Sequence, residues 1–231
     1  MDRKGFYNYA GTIAPVPCSV HHYIFSDINE GQSYKVFGFL NKQFNEVGWF
    51  YPSASSTEID RYVTYNYDEQ TWSIGELARF AWLDEGIVAY PRATGVSSST
   101  NYLYQHERGN DADGSAMSNV FIESSDMDIQ DGDYFSSISR VIPDVKFTGS
   151  GGADQTINFI LKSRNYPGES LATNTTQNVT STTTRLDTRL RARQMAFRVE
   201  SDDDNSDVNT QKGVGWVLGD TRMDIKPSGR R

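Results

Sequence analysis

Carboxylates at calcium-loop spacing are the first chemistry the chain offers. Asp111, Asp113 and Gly114 resemble part of an EF-type loop, and Asp202, Asp203, Asp204 and Asp207 form an acidic run. With Gly114 as the loop glycine, however, Gly109 and Val120 stand where the first and last carboxylates belong. The same register around Gly132 puts Met127 and Ile129 where acids belong, so Asp131-Gly132-Asp133 reads as a turn. Zinc has no better ligand set: His106-Glu107 is followed by Asn110 where a second histidine would stand, and His21 and His22 would point to opposite faces of a strand. No G-x-S-x-G occurs, Ser150 lies in the permissive run Gly149-Ser150-Gly151-Gly152, and no phosphate loop is present. Cys18, between Pro17 and Ser19, reads as a structural thiol. A glycosidase carboxylate pair needs no local motif, and Tyr67-Asp68-Glu69-Gln70-Thr71-Trp72 resembles the turn of sialidase blades, but the turn does not repeat. Asn174-Thr175-Thr176 and Asn178-Val179-Thr180 match the glycosylation sequon as chance patterns.

Cations gather in one place. Arg185, Arg189, Arg191 and Arg193 form the strongest basic feature, and on a single strand Arg191 and Arg193 would share a face with Met195, Phe197 and Val199. Such a row reads as a subunit seam in which the arginines meet a neighbour's acids, with Arg222, Arg230 and Arg231 serving the same seam.

The elements that would carry these residues are strands. Aromatic or β-branched runs recur at 34–40, 46–51, 61–67, 102–106, 120–124, 138–142, 157–163, 189–200 and 215–225, separated by turn residues such as Asn29-Glu30-Gly31 and Pro167-Gly168. The stretch 73–86 carries a capping-box pattern at Ser73 and Glu76, yet its alternation of Leu77, Ala81 and Leu83 against Phe80 and Trp82 favours a strand. A composition change near residue 118 separates an aromatic-rich first part from a second with longer strands. The expected fold is all-β: incomplete β-propeller blades over 1–117, then a β-sandwich-like platform over 118–231 with an exposed polar loop at 170–184.

Composition bounds the function. The 231 residues are 37% hydrophobic and 23% charged, and 4 Trp, 13 Tyr and 12 Phe supply a core, so disorder throughout is excluded. The opening residues lack the apolar region of a signal peptide, and no apolar run approaches the roughly 18 residues of a membrane span. A net charge of -8 opposes gripping nucleic acid through counterion release. One cysteine precludes an internal disulfide.

Several stretches taken in order carry a resemblance. They include Phe25-Ser26-Asp27-Ile28-Asn29, Asn45-Glu46-Val47-Gly48-Trp49-Phe50-Tyr51-Pro52-Ser53 and Asp60-Arg61-Tyr62-Val63-Thr64-Tyr65-Asn66-Tyr67. Trp72-Ser73-Ile74-Gly75, Ala81-Trp82-Leu83-Asp84, Leu103-Tyr104-Gln105-His106-Glu107, Ile122-Glu123-Ser124-Ser125 and Val141-Ile142-Pro143-Asp144 follow. The series ends on Gly215-Trp216-Val217-Leu218-Gly219-Asp220-Thr221-Arg222-Met223-Asp224-Ile225 and Gly229-Arg230-Arg231. This order resembles the C-terminal part of the tail nozzle proteins of short-tailed bacteriophages, also described as tail tubular protein B or packaged-DNA stabilisation protein.

The resemblance implies a structural virion protein of the phage tail, made in the host bacterial cytoplasm. It implies a homohexameric ring below the portal and adaptor, with a tail fibre or needle as further partner and a channel that retains packaged DNA and passes it at infection. It implies no enzyme activity, no cofactor and no metal. Asp126, Asp128, Asp131, Asp133, Asp202, Asp203 and Asp204 are the candidate channel-facing acids, because phosphates repelled from all sides slide without adhering. Nozzle proteins are usually longer, so the chain is expected to be a fragment or a reduced relative whose strands suffice for two or three blades. Residues 1 to about 23 then read as an edge segment anchored on another chain by Phe6, Tyr7 and Tyr9. The rival readings are a propeller glycan hydrolase and a carbohydrate-binding adhesin that stacks sugars on Tyr102 and Tyr104.

Overall fold

The computed structural model describes residues 1–231 except 3, 87, 98, 113–114, 116, 118, 129–132, 150–154, 203–213 and 231. The chain is all-β and divides into two units, Met1–Arg108 and Gly109–Arg231, ahead of the composition change near residue 118. Among the described residues the sheets close neither a barrel nor a propeller ring.

The first unit begins with a hairpin of β1 (Phe6–Tyr9) and β2 (Ile13–Val16), followed by the short helix α1 (His21–Asp27). A 3₁₀ segment, Glu30–Lys35, takes the place of the expected start of a strand at residue 34. Then β3 (Phe37–Asn41), β4 (Glu46–Tyr51), β5 (Arg61–Asn66) and β6 (Thr71–Glu76) form a four-stranded antiparallel meander. A three-stranded sheet of β7 (Ala81–Leu83), β8 (Arg92–Ser97) and β9 (Thr100–Gln105) follows, so the stretch 73–86 is neither a helix nor one strand: Ser73–Glu76 ends β6, 77–80 is a link that holds Leu77 and Phe80, and 81–83 joins the next sheet.

The meander is apolar on both faces, and strand alternation sorts them. Trp49, Val63, Ile74 and Trp72 point to one side, where Phe6, Val16, Cys18 and Ile24 cover them. Phe37, Phe39, Phe50 and Tyr62 point to the other, where Trp82 of β7 packs against Phe39 and Phe50 with centroids 4.8 and 6.0 Å away. Helix α1 exists to serve the first face: Val20, Ile24 and Ile28 recur at four-residue spacing and join that core. The helix therefore corrects the reading of His21 and His22 as strand residues; His21 Nε2 lies 3.0 Å from the Lys4 carbonyl. Phe6 corrects the reading of the N-terminal segment as an anchor on another chain. It is 2% exposed and inserts into its own unit, 4.5 Å from Trp72 and 4.8 Å from Trp49. Tyr7 and Tyr9 remain exposed.

The second unit contains β10 (Phe121–Glu123), β11 (Met127–Asp128), β12 (Ser136–Ile142), β13 (Val145–Gly149) and β14 (Thr156–Arg164). β15 (Ala172–Thr180), β16 (Leu186–Ala192), β17 (Gln194–Ser201), β18 (Val214–Leu218) and β19 (Arg222–Pro227) complete it. One sheet runs β10-β17-β14-β15 with β11 also on β17; a second runs β16-β12-β19; β13 pairs β18. Ile157, Phe159, Leu161, Val179, Met195 and Val199 of the first sheet share one core with Ile138, Val141, Leu186 and Leu190 of the second.

Three expectations fail here for physical reasons. Residues 215–225 are not one strand: the chain breaks at 219–221, so that β18 pairs β13 and β19 pairs β12. The stretch 170–184 is not a loop, because Ala172–Thr180 pairs along β14 and buries Val179, and its threonines are β-branched strand formers. Residues 189–200 are not one strand. The chain breaks at Arg193, so Arg191 belongs to one sheet and Met195, Phe197 and Val199 to the other.

Phe6→Ala is expected to cost about 3–5 kcal/mol, the range for truncating a buried phenylalanine. Urea unfolding followed by tryptophan fluorescence reads it directly, since Trp49 and Trp72 flank the ring.

Candidate functional site

The predicted arginines are held largely by their own unit. Arg191 and Arg193 lie over the Phe135 ring, 4.0 and 4.8 Å from its centroid. Arg191 donates to Ser228 Oγ and to the Ser228 carbonyl, each at 3.0 Å. Arg193 donates to the carbonyls of Asp133 at 3.0 Å and Arg230 at 3.3 Å. With Phe135 and Ser228 also bonded through their main chains, these guanidiniums clamp the segment after β19. Arg230 lies 4.7 Å over the Tyr134 ring, and Arg185 pairs with Asp187 at 3.3 Å on the surface. Arg189 is exposed beside an open hollow that it lines with Thr175, Asp187 and Thr188; Arg222 is exposed on β19; Arg231 lies outside the described residues.

The predicted acids do not form one wall. Asp126 is ion-paired with Arg164, and Asp128 accepts a long 3.5 Å bond from Gln194. Asp128 stands opposite Gln194 at the start of β17, whereas Asp202 follows its last residue, Ser201. A strand of that length separates them by roughly 25 Å. Asp133 offers its carbonyl to Arg193, and Asp131, Asp203 and Asp204 lie outside the described residues, as do Asp113, Gly114, Gly132, Ser150 and Asp207. Of the sugar-stacking pair, Tyr102 is about half exposed, but Tyr104 has the Arg79 guanidinium 3.8 Å from its ring centroid.

The densest polar chemistry lies in the first unit, on the meander face covered by β7. Arg79 Nε donates to His106 Nε2 at 2.9 Å, so this nitrogen of the ring must carry a lone pair. Burial, and then the charge of Arg79, pull the His106 imidazole down to about 4. Gly95 makes room for this arrangement: a Cβ there would lie 2.8 Å from the Ala78 carbonyl and 3.0 Å from Arg79 Nη1. Trp82 closes the group, 4.9 Å from His106 and donating to the Leu40 carbonyl at 2.9 Å.

Next in sequence to His106 stands Glu107, a residue that reading by motif dismissed with the failed zinc pattern. Its φ of 57° is left-handed, and its Oε1 accepts from Asn41 Nδ2 at 3.0 Å. Asn41 is 3% exposed and stands directly across the strand pair from Glu46. Burial raises Glu46, the Glu107 charge raises it further, and a hydrogen bond with Thr64 opposes both. Glu107 is raised by burial against its bond with Asn41, and the Tyr62 phenol is raised by burial, by Glu46 and by Glu107. Neither carboxylate has an ion pair among the described residues. No local spacing could have revealed this pair, because its members are separated by the whole of β5 to β9.

Among the described residues no group of three or more His, Cys, Asp or Glu gathers to hold a metal, and no helix is long and apolar enough to cross a membrane. In comparisons with known proteins, no family model and no curated protein matches the chain.

His106 makes folding acid-sensitive. Its folded value lies below the unfolded one near 6.5, so the contribution is present above that value and is lost as pH falls toward 4. Allowing for partial solvent screening, wild type is expected to lose about 1–2 kcal/mol more than His106→Gln between pH 7 and pH 5. Urea titrations of both proteins at the two pH values check it.

Proposed function

We propose that the chain is a structural subunit of the tail nozzle or hub of a short-tailed bacteriophage, closing a sixfold ring around the DNA channel. In this reading the first unit supplies blade-like sheets and the second a sandwich platform. The reading is supported above all by β15, a strand of nine residues at the margin of its sheet with neither charge nor proline, blunted by a single bulge at Asn174. Solitary proteins blunt such edges with lysine, proline or bulges, because an unpaired ladder recruits other chains. The opposite margin of the same sheet is β10, where Phe121 and Ile122 are exposed. Two different open margins on one sheet suit head-to-tail contacts, and those close into rings.

The acidic balance agrees with passage of DNA rather than capture. Of the arginine cluster, Arg191 and Arg193 are already bonded to carbonyls and stacked on Phe135 in their own unit. Tail and virion residence, adaptor and fibre or needle contacts, and the absence of catalysis belong to the same proposal. The glycan-hydrolase and adhesin readings remain its competitors.

Native mass measurement, on the purified chain and on particles containing it, tests the proposal: six copies per ring are expected. Thr176→Lys with Asn178→Lys, both on exposed positions of β15, is expected to shift the mass toward monomer while leaving the melting temperature within about 2 °C. A stable monomer that releases sugars from a polysaccharide overturns it.

A further inference from the structure

We propose that Glu46 and Glu107, completed by the side-chain oxygens of Asn41 and Thr64, form a calcium site inside the first unit. The groups converge from three places in the chain. Asn41 ends β3, Glu46 begins β4 directly opposite it, and Glu107 follows β9, tied to Asn41 by the 3.0 Å bond. Thr64, 5% exposed, bonds Glu46 from β5.

Two features favour something besides protein in this space. The first is charge: two half-buried carboxylates act on each other and on Tyr62, and no lysine or arginine among the described residues pairs with either. Uncompensated burial of like charges is costly, and a cation removes the cost. The second is Asn41 Oδ1. It is buried and has no hydrogen-bond partner, on an amide whose nitrogen already reaches Glu107. A buried carbonyl oxygen left without a donor is a lost bond in water-free surroundings, but it is a ready ligand for a hard cation. Turning the amide over would set Oδ1 against Glu107 Oε1, an arrangement that needs either a protonated Glu107 or a cation between them.

The donor set selects the ion. All four groups present oxygen, with neither thiolate nor imidazole, which favours calcium or magnesium over zinc. Donors drawn from two strand ends, a strand interior and a left-handed turn form an irregular cage. Calcium accepts such a cage and fills it with water, whereas magnesium demands a near-ideal octahedron. Two carboxylates place the affinity in the weak class, with a Kd on the order of 10⁻⁴–10⁻³ M.

Terbium is the probe, excited through the neighbouring aromatic side chains. Wild-type protein is expected to show sensitised terbium emission that calcium displaces in that concentration range. Calcium at 10 mM is expected to raise the melting temperature over that in EDTA by about 3–6 °C. Glu46→Gln with Glu107→Gln should abolish both responses, and Asn41→Asp, by adding a third carboxylate, should tighten calcium binding about tenfold or more. Absence of emission and of any calcium effect in wild type overturns the site, whatever the variants do. Full retention of the calcium effect in the double glutamine variant overturns it equally, as does an Asn41→Asp protein that folds but binds calcium no better. All of these readouts concern a single chain, so they stand or fall separately from the ring.

Discussion

A sheet with bulky side chains on both faces cannot be left half in water, and the meander β3-β4-β5-β6 is such a sheet. Trp49, Val63, Trp72 and Ile74 occupy one face and Phe37, Phe39, Phe50 and Tyr62 the other. At roughly 25 cal/mol per Å² of apolar surface, each face left open would forfeit several kcal/mol. The hairpin β1-β2 and helix α1 cover the first face, and the sheet β7-β8-β9 covers the second through Trp82. Glycines set how closely the layers fit: a Cβ on Gly48 would fall 2.3 Å from the Phe39 ring, and one on Gly75 would fall 2.3 Å from the Tyr62 ring. The close approach also brings Arg79, His106 and Glu107 to the second face, where burial is the largest cause of the shifts at His106, Glu107, Glu46 and Tyr62.

The second unit solves a different problem, with two sheets burying one face each in a shared core. Its cations lie on the outer surfaces. Glu123 bridges Lys162 at 2.7 Å and Arg198 at 3.1 Å, Arg198 also reaches Glu200 at 2.5 Å, and its guanidinium covers the Phe121 ring at 3.6 Å. These are cross-strand ladders over β10, β17 and β14 that trim the exposed apolar surface of the sheet. Of the arginines that read as an outward-facing seam in the sequence, Arg191 and Arg193 hold the segment after β19, while Arg189 and Arg222 stay exposed.

Local alternation made the strands legible wherever one strand buries its own side chains, as at 46–51, 61–67 and 157–163. It failed where a neighbour decides. The segment 172–180 carries almost no apolar signal, and becomes a strand because β14 offers it a ladder and a place for Val179. Helix α1 shows only three apolar residues at helical spacing and no side-chain cap, too little to stand out from the turns around it. The run 189–200 looks continuous because β16 and β17 are both apolar on alternate positions; the break at Arg193 is imposed by the need of two sheets to share a core. Candidate sites were harder still. Motif spacing finds ligands that sit on one loop, whereas Asn41, Glu46, Thr64 and Glu107 meet only after two sheets have stacked.

That stacking also separates two kinds of carboxylate. In the second unit Glu123, Asp126, Asp187, Glu200 and Asp224 each face a guanidinium or an ammonium. In the first, Glu46 and Glu107 lie on the meander face that Trp82 closes, and neither has an ion pair among the described residues, while Arg79 donates its Nε to His106 and stacks on Tyr104. Burial first, and the Arg79 charge second, keep His106 neutral. The same packing that makes the meander stable half-buries both carboxyls and raises them, so their charge is answered either by a proton or by a cation from outside the chain.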